Sequence, residues 1–224
     1  MNPSTLAIAL LIAVVVWGVI VRKLTVKPWV QQPAGEHLEG IEPFTQPAAK
    51  VAFYFLLAVI TSLFLLFFTA YNMRMSPHHG GDWHPVTEPN LLWLNTGLLI
   101  LSSVTMQWAR RLAVLGNQDK LFLALIGGGL LTLAFLGGQL VAWDQMQASG
   151  QYSLINPASA FFYLLTAVHG FHLIGGLVVW ARTLIKIKTG ASVESLNLTV
   201  ELCSLYWHYL LVVWLALFAL LVST

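Results

Sequence analysis

Charge is scarce in this 224-residue chain. Only 9% of its residues are Asp, Glu, Lys or Arg, where a soluble globular domain carries roughly 25%. With 58% of the residues hydrophobic, that shortage excludes a sizeable soluble domain and leaves an integral membrane protein. The net charge of +2 gives no electrostatic footprint for nucleic acid. Cysteine occurs once, as Cys203 in an apolar run, which excludes an intrachain disulfide and a thiolate zinc cluster. Cys203 reads as a small buried hydrophobe. No basic segment precedes the first apolar stretch and no small-residue cleavage site is clear, so that stretch is expected to be a retained helix. Clear inverted repeats and broken helices are also lacking, which argues against a transporter.

What is present is a series of six apolar stretches, at 4–22, 50–72, 91–114, 121–143, 157–181 and 199–222. Each has the roughly 20 residues needed to cross a bilayer. The expected fold is therefore all-α, a polytopic bundle of six transmembrane helices. Polar or Pro- and Gly-rich segments separate the stretches: Pro43 and Pro47 before the second, "SPHHGGDWHPVTEP" before the third, "GNQD" after it and "KTGASVES" before the sixth. Lys and Arg collect on one side of this map. Arg22, Lys23, Lys27 and Lys50 flank the first loop, Arg110, Arg111 and Lys120 the third, and Arg182, Lys186 and Lys188 the fifth, leaving only Arg74 opposite. By the positive-inside rule these three loops are cytoplasmic and both termini lie on the periplasmic side.

Ionisable groups within a membrane are functional candidates by default. His169 and His172 fall in the fifth stretch, Glu201 and His208 in the sixth. At 1.5 Å per residue His208 lies roughly 14 Å from the cytoplasmic end and His169 roughly 18 Å from the outer end. The three histidines thus share a depth if the two helices pack together. Residues three apart point the same way, so His169 and His172 are poorly placed to clasp a haem from opposite faces. With His208 and Glu201 they nominally supply enough ligands for zinc or iron. The alternative is neutral imidazoles bonded to helix carbonyls, hydroxyls or headgroups. His78, His79, His84 and Asp82 form a local cluster in the outer loop, but their spacing matches no strong metal motif. The glycines at 127–129 and 137–138 suit close helix approach. The aromatics are expected mostly at lipid-facing or interfacial positions, with Trp83, Trp93 and Trp143 near the outer boundary.

Three segments carry a resemblance: "LLWLNTGLLILSSVTMQWA" at 91–109, "AFFYLLTAVHGFHLIGGLV" at 160–178 and "VELCSLYWHYLLVVWLALF" at 200–218. Together they resemble subunit III of haem–copper terminal oxidases, the cytochrome c and quinol oxidases, over residues 48–224. The resemblance divides the chain into an N-terminal transmembrane helix with a cytoplasmic loop (1–47) and a five-helix core (48–224). It implies a non-catalytic subunit of the bacterial inner membrane, with no cofactor of its own. Haem and copper belong to the partner subunits. The expected partners are subunit I directly, subunit II and other oxidase subunits, and phospholipids. The implied role is to stabilise subunit I, hold phospholipid and support proton uptake.

On that basis His169, His172, Arg182, Lys186, Glu201 and His208 are the candidate lipid-binding residues. Arg182 and Lys186, one turn apart, suit a lipid phosphate. The second stretch, "AFYFLLAVITSLFLLFF", lacks the acidic residue that many family members carry there, so a role resting on that acid is not expected. An accessory protein of a nitric oxide reductase is the alternative within the same likeness. A stand-alone desaturase-like di-iron enzyme is disfavoured, because the cytoplasmic loops offer only His37.

Overall fold

The computed structural model describes residues 48–75, 90–148, 156–190 and 192–223. The expected helix at 4–22, the loop histidine His37, and the outer-loop cluster of His78, His79, Asp82 and His84 lie outside the described residues. The chain divides into two compact units, Met1–Ser76 and Pro77–Thr224.

In the first unit, α1 spans Ala48–Met75. Its buried residues Ile60, Phe64 and Tyr71 recur at helical spacing and so share one stripe. Its few polar side chains turn back on the helix itself. Thr61 Oγ1 donates to the Leu57 carbonyl at 2.7 Å, Ser62 Oγ to Ala58 at 2.9 Å, and Asn72 Nδ2 to Phe68 at 2.8 Å. In lipid no water is at hand to satisfy such groups, so an own-helix carbonyl is the natural partner.

The second unit contains α2 (Leu91–Val114), α3 (Gln118–Ala148), α4 (Pro157–Lys188) and α5 (Val193–Val222). They close a ring in which α2 packs on α3, α3 on α4, α4 on α5 and α5 on α2. The helices α1, α3, α4 and α5 are long and apolar enough to cross a membrane. Residues such as Asn95, Thr96, Ser102, Ser103 and Gln107 make α2 less apolar, and this helix lies between α3 and α5. A multi-pass helical membrane bundle is therefore the architecture.

The α2–α3 connection shows why "GNQD" makes a tight turn. Gly116 adopts φ +70°, a left-handed conformation that glycine takes without a Cβ penalty. The Gly116 amide bonds to the Ala113 carbonyl and the Asn117 amide to Leu112, each at 3.1 Å. This pair satisfies carbonyls left over at the end of α2. Asn117 then caps α3, its Oδ1 accepting from the Lys120 amide at 3.2 Å, as Asn does at a helix start. At the opposite end of the bundle, Asn156 Oδ1 accepts from the Ala158 amide at 3.1 Å, with Pro157 in the first helical position.

Two tryptophans depart from the lipid-facing or interfacial placement expected of most aromatics. Trp93 is exposed, but Trp207 and Trp214 are among the largest fully buried side chains. Each buried indole N–H finds a hydroxyl on a neighbouring helix. Trp207 Nε1 donates to Ser102 Oγ (3.1 Å) and Thr132 Oγ1 (2.9 Å), and Trp214 Nε1 to Thr96 Oγ1 (3.0 Å). Trp143 Nε1 does the same with Thr166 Oγ1 at 3.0 Å. Indole supplies a large apolar surface but needs one acceptor when buried. Ser and Thr supply it between membrane helices.

Candidate functional site

The six residues singled out from the sequence do not converge on one point. They fall into three places in the second unit.

The first is the α2–α5 interface, where Glu201 and His208 lie. His208 Nδ1 is hydrogen-bonded to Ser103 Oγ, and its Nε2 lies 3.1 Å from Gln107 Oε1. Ser204 Oγ donates to the same Gln107 oxygen at 3.1 Å. Two turns before His208 on α5, Glu201 Oε1 accepts from Arg110 at 3.2 Å. Ser103, Gln107 and Arg110 share one face of α2; Glu201, Ser204 and His208 share one face of α5. The result is a polar seam between the two helices. The Arg110–Glu201 pair is partly exposed, at 44% and 33%. Its mutual attraction is therefore worth at most about 1 kcal/mol.

The second place is the centre of the bundle. His169 is fully buried, its ring 5.9 Å from that of Phe135 on α3 and 5.3 Å from that of Trp214 on α5. His172, three residues on, is only partly buried; its Nδ1 lies 2.7 Å from the Val168 carbonyl of its own helix. The His172 carbonyl accepts from Tyr206 Oη at 3.1 Å. The two histidines are one turn apart on α4 yet occupy different surroundings. Their register with Trp214 and Tyr206 does bring His169, His172 and His208 to similar depths, but His208 is turned away towards α2.

The third place is the outward side of α4. Arg182 and Lys186 are both exposed near its end, and the exposed Phe171, Ile174 and Val178 lie along the same helix before them. Among the described residues no three His, Cys, Asp or Glu side chains are grouped so as to share a metal ion.

Sequence reasoning missed Ser103, Gln107, Ser204 and Arg110 as partners, although the Ser-Ser pair of α2 was visible. It also missed the Trp207 node. There Ser102 Oγ and Thr132 Oγ1 lie 2.8 Å apart, and both reach the Gly128 carbonyl, at 2.8 and 3.0 Å. Of the glycines expected to allow close helix approach, Gly127 and Gly137 have room for a Cβ, whereas Gly128, Gly129 and Gly138 sit where helices touch closely. Gly129 lies beneath the Trp180 ring, and Gly138 lies against the Asn95 amide, so neither position has room for a Cβ.

A family model described as Cytochrome c oxidase subunit III matches residues 6–223. The chain belongs to this family. The match extends into residues before 48, beyond the part that the sequence motifs cover. Among relatives, cytochrome c oxidase subunit 3 of Arabidopsis thaliana is 29% identical over 171 residues, covering 73% of this chain and 63% of that protein. The probable cytochrome c oxidase subunit 3 of Nocardia farcinica is 29% identical over 172 residues, covering 73% and 79%. That of Mycobacterium leprae is 30% identical over 171 residues, covering 74% and 80%. The chain thus spans less than two thirds of the plant relative's length and most of the two bacterial ones. In the H-G-x-H segment of α4 the first imidazole is buried and the second bonds its own helix, and in the Glu–Tyr-Trp-His segment of α5 the imidazole is bonded between helices.

Proposed function

We propose that this chain is the non-catalytic subunit III of a respiratory haem–copper oxidase in a bacterial inner membrane. In that complex O2 reduction to water is coupled to proton translocation, and the haem and copper lie in partner subunits. The family match over residues 6–223 carries the proposal. Its part in the complex is to stabilise subunit I, support proton uptake and hold phospholipid. Subunit I is the direct partner, with subunit II and the other subunits beyond it.

For the lipid, the outward side of α4 offers what a phospholipid needs. Arg182 and Lys186 supply two cations one turn apart for a phosphate, and Phe171, Ile174 and Val178 supply an apolar strip for an acyl chain. His172 lies about four turns before Lys186, on the same side of the helix. His169, closed into the bundle, supports this face from behind. Glu201 and His208 hold α5 against α2 and so keep the α4–α5 pair in place. The Lys and Arg distribution orients the basic ends of α2, α3 and α4, and with them the start of α5, to the cytoplasm and both termini to the periplasm.

Two measurements test this. Affinity purification of the chain from membranes should bring down a haem–copper oxidase, while the chain alone shows no Soret band. Recovery of a nitric oxide reductase instead, or stoichiometric haem in the isolated polypeptide, overturns the oxidase assignment. In the purified complex, Arg182→Ala with Lys186→Ala removes charged contacts worth roughly 1.5–3 kcal/mol. Bound phospholipid should fall by about one to two decades in occupancy, with the haem spectrum and initial turnover unchanged. Full retention of lipid by the double variant refutes the lipid site alone.

A further inference from the structure

One transverse layer of the bundle is more polar than lipid surroundings tolerate without help. Asn95 on α2 is fully buried and Gln139 on α3 is 5% exposed. Neither side-chain amide has a hydrogen-bond partner among the described residues, at its nitrogen or at its oxygen. The two are close in the fold. The Asn95 amide sits directly against Gly138, the residue before Gln139. The same layer holds His169 on α4 and Trp214 on α5, both fully buried, with ring centroids 5.3 Å apart. Trp214 is tied to this level by its bond to Thr96, the residue after Asn95. Phe135, one turn before Gln139 on α3, closes the layer below, 4.9 Å from the Trp214 ring and 5.9 Å from that of His169.

A buried amide without a partner is costly in any protein interior, and more so where lipid offers no substitute. An amide brings two N–H donors and a carbonyl acceptor. Two such groups, on different helices, at neighbouring levels and shut off from the surface, leave donors and acceptors unmatched in one layer of the interior. The ligand chemistry they fit is that of a small neutral molecule which both donates and accepts. A buried water typically makes about three hydrogen bonds to protein groups of this kind. The layer offers a charged ligand no Asp, Glu, Lys or Arg as counter-charge, and His169 is its one titratable group.

We infer that Asn95 and Gln139 form a buried water-binding site in the interior of the bundle, in the layer that also holds His169 and Trp214. The site is separate from the outward face of α4 and does not depend on the lipid proposal. It accounts for two buried amides within helices that otherwise pack apolar side chains.

The test uses the wild-type complex in lipid nanodiscs. X-ray radiolytic labelling in oxygen-18 water marks side chains that lie beside bound water. Phe135 and Trp214, both fully buried, should take up the label, and the Asn95→Leu, Gln139→Leu double variant should lose it. A high-resolution map should show a solvent peak within hydrogen-bond distance of both amides. Wild-type Phe135 and Trp214 that remain unlabelled overturn the inference, as does a map in which the two amides bond each other directly with no solvent peak between them. If the double variant fails to assemble, the two wild-type measurements decide the matter alone.

Discussion

Trp207→Phe isolates what an indole N–H contributes inside this membrane bundle. The replacement keeps an aromatic ring at a position that is only 1% exposed and deletes the donor that reaches Ser102 and Thr132. The two hydroxyls are not stranded, because both still reach the Gly128 carbonyl. The loss is therefore that of a hydrogen bond, about 0.6–2 kcal/mol between membrane helices, rather than the larger cost of orphaned buried groups. The smaller ring leaves a gap, adding about 1 kcal/mol by analogy with conservative core truncations. The total is roughly 2–3 kcal/mol, below the 3–5 kcal/mol expected for Trp207→Ala. Reversible unfolding of the reconstituted chain in mixed micelles measures it, with Thr132→Val as the second arm of a double-mutant cycle. The two substitutions should show a coupling energy of at least about 0.5 kcal/mol. Strict additivity, or a Trp207→Phe protein as stable as wild type, refutes the claim that the N–H is a structural bond.

Gly129→Ala puts a methyl group into the Trp180 ring and strains the bond from Trp180 Nε1 to the Leu125 carbonyl (2.7 Å). The expected cost is about 1–3 kcal/mol, the range for overpacking, read in the same unfolding assay. Glu201→Gln removes the charge facing Arg110 and should cost no more than about 1 kcal/mol, with a difference that shrinks as salt is raised. A salt-independent loss there would show that hydrogen bonding, not charge, holds that end of the seam. A reporter fused after Thr224 should be active on the periplasmic side; a cytoplasmic signal means that the number of spans before it is odd rather than even.

The sequence disclosed the helices well and their facing poorly, for one physical reason. Apolar runs at 91–114, 121–143, 157–181 and 199–222 foretold α2 to α5 closely, because length in lipid is dictated by bilayer thickness. The observed helices run further, to Ala148 for α3 and to Lys188 for α4, since polar and basic residues continue a helix beyond the hydrocarbon with their heads in water. A helix that is apolar all round carries no amphipathic signal to say which side is inward. Hence His169 and His172 read as equivalent, and nothing marked Trp207 and Trp214 as the buried ones. The pairing of Ser103 with His208 joins residues in different helices, and nothing local in either segment marks it. The glycine pattern of α3 was informative because small residues have few other uses inside a membrane helix.

The seam between α2 and α5 also works as a vernier. Apolar helices slide along one another at little cost in lipid, because acyl chains are as good a neighbour for leucine as another leucine is. Three polar contacts spaced along two turns of each helix, from Ser103–His208 through Gln107–Ser204 to Arg110–Glu201, remove that freedom. A slip of one turn, about 5.4 Å, unmakes all three at once and leaves polar groups facing hydrocarbon. The depth of α5 is thus indexed to α2 rather than to the surrounding bilayer. In a membrane thinner or thicker than its own, this pair adapts as a single body, by tilting together or by deforming the lipid around it, and the side chains it presents to its neighbours stay level with one another.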